Sequence, residues 1–448
     1  MKTHGFVRAP WLVAALCLAT PALAQQPAIP IRAVTAPTAT SPLLSSPDEI
    51  REIAPDKLLV NDGTAHKLML FGATLQNPTI LADSLGTGTP YLRFAKLISY
   101  RGDTTLFADG SSRTFVLIDP QGKLGRVMAP PRTQDFNMII STGYVGTDAR
   151  GRLVYQGFGA MSFPKPACAV IDAPVKPAQP TASTDSAPII RADFDARRID
   201  TIGRAKTNDF GLEFPTPTVD ANCKVLSAKM RVNPSIPATD SWTVTSRGAI
   251  AIVRSHDYHI DWIDTAGATH STPKMAFDWR RLTDADKQSR VDSARKIIDS
   301  LTAIGGYRLQ MCAGGRTLNF TANPADPPEE INLGRAGDGA GGRGNECQTV
   351  TVTATFAPLD SMADYIPPIR EYAARADLDG NVWILPSTSA NAKGGLLYDV
   401  VNPNGEIVER VQLPGGRALA GFGRDGVLYL SHGDWKAGYV IEKVKVVR

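Results

Sequence analysis

The sequence has few cysteines, almost no charge excess and no long apolar run, and each shortage excludes a class of protein. Only five of the 448 residues are cysteine and none forms a C-x-x-C pair, which argues against zinc, haem and dithiol redox sites. The 48 basic and 44 acidic side chains nearly balance, so the chain lacks the positive surplus of a nucleic-acid binder. No stretch approaches the roughly 18 consecutive apolar residues of a membrane-spanning helix.

The strongest catalytic signatures are missing as well. The sequence has no G-x-S-x-G elbow, no H-E-x-x-H helix and no Walker A loop. Residues 337–342 match G-x-G-x-x-G, but neither a strand before them nor a helix after them is indicated, so they predict a glycine-rich loop. Turn formers are plentiful, with 39 glycines and 33 prolines beside 43% hydrophobic residues. This composition favours a strand-rich fold with a core.

The first 24 residues have the pattern of a secretory signal peptide. Lys2 and Arg8 supply a basic start, residues 11–19 form a short apolar run, and residues 22–24 (ALA) fit a cleavage site. A lipoprotein acylated at Cys17 is the alternative, although a leucine stands before this cysteine where a small residue is usual. The sequence therefore predicts an exported protein, in the periplasm or outside the cell.

Four cysteines follow the predicted leader, and an even number in an exported protein favours disulfides. Four cysteines allow three connectivities. The pairing Cys312–Cys347 closes a loop within one long unpatterned stretch, and Cys168–Cys223 joins two such stretches. We therefore favour this pair of bridges among the three possibilities.

An internal repeat indicates the fold. Its clearest copy covers residues 242–277, where short apolar or alternating segments (WTVTS, AIAIVR, YHIDWID, STPKMAF) are separated by turns containing Gly, Asp or Asn. Five further stretches follow the same plan, although the last runs out of chain after three segments. Such turns join antiparallel neighbours, because these residues tolerate positive φ angles.

Six four-stranded units predict an all-β fold, a six-bladed β-propeller over residues 48–448. Unpatterned stretches at 160–188, 206–239 and 281–360 are expected to be loop and helix insertions that cover one face. Residues 25–47 form a linker, in which 29–35 is expected to supply the missing outer strand of the last blade. A pair of β-sandwiches with a helical domain is the alternative fold.

The stretch DSWTVTSRGAIAIVRSHDYHIDWID, beginning at Asp240, resembles the secreted bacterial six-bladed propellers of the TolB-like and NHL-like kind. It is similar in particular to exported propellers that carry the same DYHxDW stretch. The resemblance covers roughly residues 46–448. It implies the binding of a ligand or protein more often than catalysis, and it implies no particular substrate.

Function is expected on the face from which the three insertions emerge. A helix capped by Thr283 opens the third insertion, and its apolar stripe is expected to pack on the propeller. Arg280 offers a planar fork for an anion and Trp279 a stacking surface. Strand ends and connections bring further polar side chains to this face. The predicted ligand-binding residues are His256, Asp257, Asp278, Trp279, Arg280, Asp434 and Trp435.

Two functions of different classes remain open from the sequence. The first is a monomeric binding module for a protein or a small polar ligand, with no cofactor and no nucleic-acid or membrane partner. The second is a lactonase-type or lyase-type enzyme that holds a divalent metal ion at the channel mouth with Asp62, Asp109, His256 and Asp434. His259 is expected to form a buried hydrogen-bonded pair with a carboxylate. Of the two hypotheses, the sequence favours the binding module over the enzyme.

Overall fold

Six four-stranded sheets succeed one another along the chain. The computed structural model describes residues 29–83, 95–141, 143–157, 185–207, 212–220, 225–303, 307–312, 315–320, 329–332 and 348–448. Within each of the six sheets, strands that follow one another in sequence pair antiparallel. The innermost strands of neighbouring blades contact each other, including those of the last and the first blade. The fold is a six-bladed β-propeller, as the repeat predicts.

Blades 1 to 3 occupy the first half of the chain. From the innermost strand outward, blade 1 consists of Pro47–Ala54, Lys57–Asp62, Lys67–Phe71 and Thr79–Asp83. Blade 2 consists of Ala95–Ser99, Thr105–Asp109, Thr114–Ile118 and Leu124–Met128. The short helix Phe136–Ser141 precedes blade 3, which consists of Val145–Thr147, Leu153–Gln156, Ser186–Ala192 and Ile199–Lys206.

Blades 4 to 6 follow, and blade 6 takes its outer strand from the N-terminal segment. Blade 4 consists of Ser241–Val244, Ile250–Arg254, His259–Ile263 and Thr269–Ser271. Blade 5 consists of Ile369–Ala376, Val382–Pro386, Leu397–Val401 and Ile407–Gln412. Blade 6 consists of Ala418–Phe422, Val427–Asp434, Gly438–Lys445 and, at its outer edge, Ala39–Thr40.

A recurring Asp-x-x-Gly or Asn-x-x-Gly turn joins many of these strands. In each, the acidic or amide oxygen accepts hydrogen bonds from the backbone amides two and four residues ahead, and the glycine has a positive φ angle. This geometry explains the Gly and Asp punctuation of the sequence. The turns begin at Asp119, Asp148, Asp264, Asp377 and Asn402.

Apolar side chains fill the space between every pair of neighbouring blades, in six separate clusters. The second strand of blade 1 illustrates the arrangement, since Leu58 and Val60 pack toward blade 6 while Leu59 packs toward blade 2. Alternate side chains of a strand point to opposite faces. Strands between two neighbouring blades are therefore apolar on both faces, which is why they read as continuous apolar runs.

The N-terminal segment fastens the last two blades, with residues that differ in part from those predicted. Ala39–Thr40 pairs antiparallel with the third strand of blade 6, and backbone hydrogen bonds extend this pairing from Thr35 to Leu44. Ile31–Arg32, which lies in the predicted closing strand, instead pairs in parallel with Ile407–Gln412 at the edge of blade 5. One short segment therefore covers the edges of two blades, which protects them from pairing with other chains.

The insertions on either side of blade 4 form a sheet of their own, which the sequence analysis did not predict. Its strand order is Leu212–Val219, Val225–Val232, Gln348–Phe356, Tyr307–Cys312, Gly315–Phe320 and Glu329–Asn332. The second and third of these strands pair in parallel and come from different insertions. We call this structure the insertion sheet. Because it joins the two insertions, they belong to one substructure rather than to separate loops.

The helix Asp284–Ala303 packs on the insertion sheet and not, as predicted, on the blades. Ala294 and Ile298 contact its buried cluster around Met230 and Val352. Its N-terminus has the predicted cap, since Thr283 Oγ1 accepts the amide of Asp286 at 3.1 Å and Asp286 accepts the amide of Thr283 at 2.9 Å. No helix among the described residues is long and apolar enough to cross a membrane.

Candidate functional site

The strand order determines which loops share a face of the ring. The turns between first and second strands, and between third and fourth strands, lie on one face, the short-turn face. The loops between second and third strands lie on the other face with the connections between blades. Both insertions that flank blade 4 are such connections. We call this second face the insertion face, and the predicted ligand-binding residues belong to it.

His256, Asp257 and His259, which the sequence analysis named, lie at the start of the third strand of blade 4. Asp257 pairs with Lys274 at 3.2 Å and with His259 Nδ1 at 2.6 Å, and His259 Nε2 lies 3.2 Å from Asp261. Burial alone would raise the pKa of Asp257, but the hydrogen bonds from Lys274 and His259 together lower it. His256, the next residue back, is exposed. The predicted pairing of His259 with a carboxylate is confirmed, with two carboxylates rather than one.

The network continues inward through a buried carboxylate. Arg254 bridges Asp261 and Asp240, with each contact at 2.7 Å. Asp240 also accepts the backbone amides of Lys206 and Ser255. Since Lys206 ends blade 3 and Asp240 precedes blade 4, this carboxylate fastens the base of the insertion between the two blades. Most of the polar network of blade 4 therefore has a structural role.

Trp279 and Arg280 lie on the chain that leaves blade 4 toward the helix. Trp279 is 41% exposed and meets Phe277 and Tyr365 edge to face, with ring centroids 5.4 and 6.4 Å away. Arg280 pairs with Asp286 in the first turn of the helix at 3.4 Å. Asp278 is exposed between them and the blade. The half-exposed indole and guanidinium leave surface for a ligand, although Arg280 also contacts the helix.

The carboxylates considered for a metal ion are each held by their own loop. Asp62 is buried and accepts the amides of Ser45, Ser46 and Ala65. Asp109 accepts hydrogen bonds from Ser111 and Ser112, which lower its pKa despite partial burial. The described part of the chain holds no cluster of three or more His, Cys, Asp or Glu side chains that could bind a metal.

Asp434 and Trp435 lie in the corresponding loop of blade 6. The amides of Ala437 and Lys436 donate to Asp434 at 2.8 Å each, and these hydrogen bonds lower its pKa. Trp435 is 78% exposed, with Lys436 Nζ 5.1 Å from its ring centroid. No described contact joins this loop to the predicted residues of blade 4, and blade 5 lies between them. The predicted set is therefore divided between two places on the insertion face.

A cavity of about 410 Å³ opens beside Asp434, between blades 5 and 6. Its walls come from the loop after the second strand of blade 5 (389–396), the connection between the blades (416–418), and the hairpin of blade 6 (431–439). All three segments belong to the insertion face. We call this the rim cavity.

Two glycines allow the walls of the rim cavity to approach closely. A Cβ atom on Gly395, whose φ is 137°, would lie 2.1 Å from the carbonyl oxygen of Leu413. A Cβ atom on Gly433, whose φ is 128°, would lie 2.1 Å from the carbonyl oxygen of Gly438. Only glycine fits either position. The cavity is thus formed by backbone that is fixed in place.

The polar centre of the rim cavity is the pair Arg417 and His432, which both contact the buried carboxylate of Glu442. Arg417 Nε and Nη2 donate to Glu442 at 3.1 and 3.2 Å, and His432 Nε2 lies 3.3 Å from the same carboxylate. The hydrogen bond to Glu442 raises the pKa of Arg417. Glu442 is only 6% exposed, whereas the side chains of Arg417 and His432 are about one third exposed. The sequence analysis did not single out Arg417 or Glu442 for this site.

A second feature missed from the sequence is a protrusion of the innermost strand of blade 5. Ile369 pairs with Pro386 and Ala374 with Ile384, so the segment between them bulges out of the sheet. Within it Tyr372 has a φ of 60° and is 50% exposed. Its ring stacks on Tyr144 at 4.6 Å and lies where a side chain on Gly143 would be. The protrusion thus reaches across blade 4 to blade 3.

Glu371 in this protrusion provides a pH-dependent prediction. Burial raises the pKa of its carboxyl group above the ordinary value. The folded state therefore holds the proton more tightly than the unfolded chain, and this contribution to stability is lost as the pH rises through the folded-state pKa. We expect Glu371→Gln to gain free energy of unfolding relative to the unmodified protein between about pH 4 and about pH 7. Denaturant titrations of both proteins at about pH 4 and about pH 7 test this. A stability advantage of Glu371→Gln over the unmodified protein that is larger at the lower pH would contradict it.

The two predicted disulfides cannot be placed. Cys168, Cys223 and Cys347 lie outside the described residues, and Cys312 ends a strand whose side chains are not described. The pairings Cys312–Cys347 and Cys168–Cys223 stay predictions.

Among known proteins, this chain is similar only to solved structures, and that likeness is distant. No family model matches the chain, and no curated protein matches it. Among solved structures, virginiamycin B lyase from Staphylococcus aureus is 10% identical, with 90% of this chain and 96% of that chain covered and a TM-score of 0.33. A Bacteroides fragilis protein described as exported is 10% identical, with 91% and 92% covered and a TM-score of 0.37. YCF48 bound to a D1 peptide is 11% identical, with 94% and 98% covered and a TM-score of 0.31. Likeness at this level carries no argument about activity.

Proposed function

We propose that this chain is an exported binding propeller that takes a small polar ligand in the rim cavity on its insertion face. The observation that carries the proposal is the concave site of about 410 Å³ in which Arg417 and His432 converge on one buried carboxylate. Ligand sites are typically clefts of roughly 300–1,000 Å³ with a few well-placed polar groups. The predicted leader and the resemblance to exported TolB-like and NHL-like propellers support export.

The predicted ligand-binding residues enter this proposal in two ways. Asp434 and Trp435 continue directly from the cavity wall, so they would border a bound ligand. Trp279 and Arg280, with His256, Asp257 and Asp278 nearby, would form a separate contact surface beside blade 4. We place the ligand in the rim cavity because the polar groups beside blade 4 are largely used by the structure itself, as the pairs Arg280–Asp286 and Asp257–Lys274 illustrate.

A cavity-filling variant tests the proposed site. Ala418 is exposed and lines the rim cavity, so Ala418→Trp is expected to fill it while the blade still forms. Ala266→Trp is the matched control, because Ala266 is exposed in a turn of the short-turn face. We expect ligand-observed NMR with a library of polar metabolites to detect binders that Ala418→Trp loses and Ala266→Trp keeps.

The double variant Asp257→Ala, Arg280→Ala separates the two places on the insertion face. Binders lost only in this variant would move the site to blade 4 and contradict the rim cavity as its location. Binders that all three variants keep would place the site elsewhere on the ring. A library without any binder would contradict the function itself. Melting temperatures of all variants provide the folding control, since exposed substitutions usually change stability by within about 0.5 kcal/mol.

A further inference from the structure

We propose that the rim cavity recognises the carboxylate of a small hydroxylated organic acid, with Arg417 as its main contact. This inference rests on the proposed function and adds the chemical class of the ligand. Three observations carry it: the free N–H donors of Arg417, the single negative charge of its partner Glu442, and the size of the cavity.

Arg417 supplies the cavity with hydrogen-bond donors only. A guanidinium has five N–H donors, and the structure uses three of those of Arg417, two on Glu442 and one on the carbonyl oxygen of Gly415 at 3.2 Å. Two N–H donors of a planar fork thus stay available on a side chain that is one third exposed. Hydroxyl groups of Ser431 and Tyr439 also line the cavity. A ligand rich in acceptor oxygens matches this set.

The arrangement of charges favours a singly charged anion. Arg417 carries one positive charge and Glu442 one negative charge, and His432 contacts the same carboxylate through Nε2. A carboxylate can accept the free N–H groups of Arg417 with its two oxygens, as guanidinium–carboxylate pairs do. A phosphate dianion would bring two negative charges close to the buried carboxylate of Glu442, whose repulsion opposes it. The site therefore suits a carboxylate better than a phosphate.

The remaining lining explains why the acid should also carry hydroxyl groups. Beyond Arg417 and His432, the walls present three hydroxyl groups and three apolar side chains together with glycine backbone. The hydroxyl groups belong to Ser389, Ser431 and Tyr439, and the apolar side chains to Ala392, Leu396 and Ala418. The hydroxyl of Ser389 already accepts the amide of Leu397 at 2.7 Å, which leaves its own O–H to donate. A volume of about 410 Å³ lies at the lower end of ligand cavities, in which a molecule of monosaccharide size fits.

A purely structural role for the Arg417–Glu442 pair would not require this arrangement. An ion pair that only fastens the blade is satisfied by its partner and can be closed over by neighbouring side chains. Here Arg417 and His432 both line the cavity, contact the same carboxylate and keep about one third of their side-chain surface exposed. Gly415 and Gly416 precede Arg417 without side chains that could cover it.

Calorimetric titration of the full mature chain tests the inference with D-glucuronate and D-gluconate as probes. D-glucose, which has the same size without the carboxylate, and inorganic phosphate are the comparison ligands. The variant Arg417→Lys keeps the charge and removes the planar fork. Arg198→Lys is the matched control, because Arg198 is exposed on the short-turn face and pairs only with Asp200 among the described contacts.

We expect saturable binding of one or both acids, at least about tenfold weaker in Arg417→Lys and unchanged in Arg198→Lys. We expect glucose and phosphate to bind at least about tenfold more weakly than the better acid. Equal affinity for glucose, tighter binding of phosphate, an unchanged affinity in Arg417→Lys, or no binding of either acid would each overturn the inference. If the metabolite library still gives binders that Ala418→Trp loses, the proposed function stands without it. If the metabolite library gives no binder, the proposed function and this inference both fail.

Discussion

A chain that begins at residue 45 is expected to unfold at a much lower temperature than a chain that begins at residue 29, and to aggregate. Residues 29–44 cover the edges of blades 5 and 6, and the removed segment takes with it backbone hydrogen bonds to Lys445, Lys443, Ile441 and Tyr439. Each hydrogen bond contributes about 1 kcal/mol. Losing several of them is a large change against a total stability of roughly 5–15 kcal/mol. The exposed strand of blade 6 would then be free to pair with other chains.

The control for this truncation is a chain that begins at residue 29, which keeps every contact described for the segment. Differential scanning calorimetry and light scattering on both chains provide the measurement. A truncated protein that stays monomeric with an unchanged melting temperature would show that the N-terminal segment does not stabilise the edges of blades 5 and 6. Residues Ser45 and Ser46 are kept in both chains because their amides donate to buried Asp62.

The second large effect is expected at the interface between blades 4 and 5. Tyr258 is fully buried and donates its hydroxyl proton to Asp399 at 2.7 Å, and Asp399 also accepts a hydrogen bond from Arg410 at 2.8 Å. Burial, with the charge of Asp399, raises the pKa of Tyr258 well above its ordinary value, so the phenol stays a donor. Asp399→Ala would leave both partners without their acceptor. We expect a loss of about 3–5 kcal/mol in the free energy of unfolding.

Tyr258→Phe is the matched variant, because it removes the hydroxyl and leaves Asp399 with Arg410. We expect it to cost only about 1–1.5 kcal/mol, the net value of one hydrogen bond. Guanidinium titrations of both variants provide the comparison. Equal losses in the two variants would show that the pair Asp399–Arg410 contributes little beyond the tyrosine contact.

The six blades could be predicted from sequence because their signals are local. The turn beginning at Asp264 shows why, since Asp264 and Gly267 mark a turn within four residues. The closing strand was predicted only in part, because 29–35 and 36–44 have similar short apolar patterns. Which of two blade edges each piece covers depends on the assembled ring.

The insertion sheet was missed because its central pairing joins segments more than a hundred residues apart. Gln348–Phe356 (QTVTVTATF) alternates with the period of a strand and could have been recognised. Its parallel partner Val225–Val232 lies before blade 4, so no hairpin signal connects them. Without that sheet, the apolar stripe of the helix had no predicted partner except the blades.

The candidate site was predictable to the level of its face and not to its centre. Strand order alone brings the loops of blades 4 and 6 to the insertion face, and Asp434 and Trp435 were assigned to that face in this way. Arg417 follows a glycine pair in a connection that carries no motif, and its partner Glu442 is read from sequence as an ordinary strand residue. Tyr372 was read as part of a regular strand, because a bulge leaves no periodic signal of its own.

Hydrogen–deuterium exchange with a bound ligand is the most direct measurement of where this propeller binds. For any small molecule that the NMR screen identifies, the proposed function predicts slower amide exchange in three segments, 389–396, 416–418 and 431–439, which form the walls of the rim cavity. The loops of blade 4 and the short-turn face should exchange at unchanged rates. Protection confined to the turns of the short-turn face, with the cavity walls unaffected, would contradict the account.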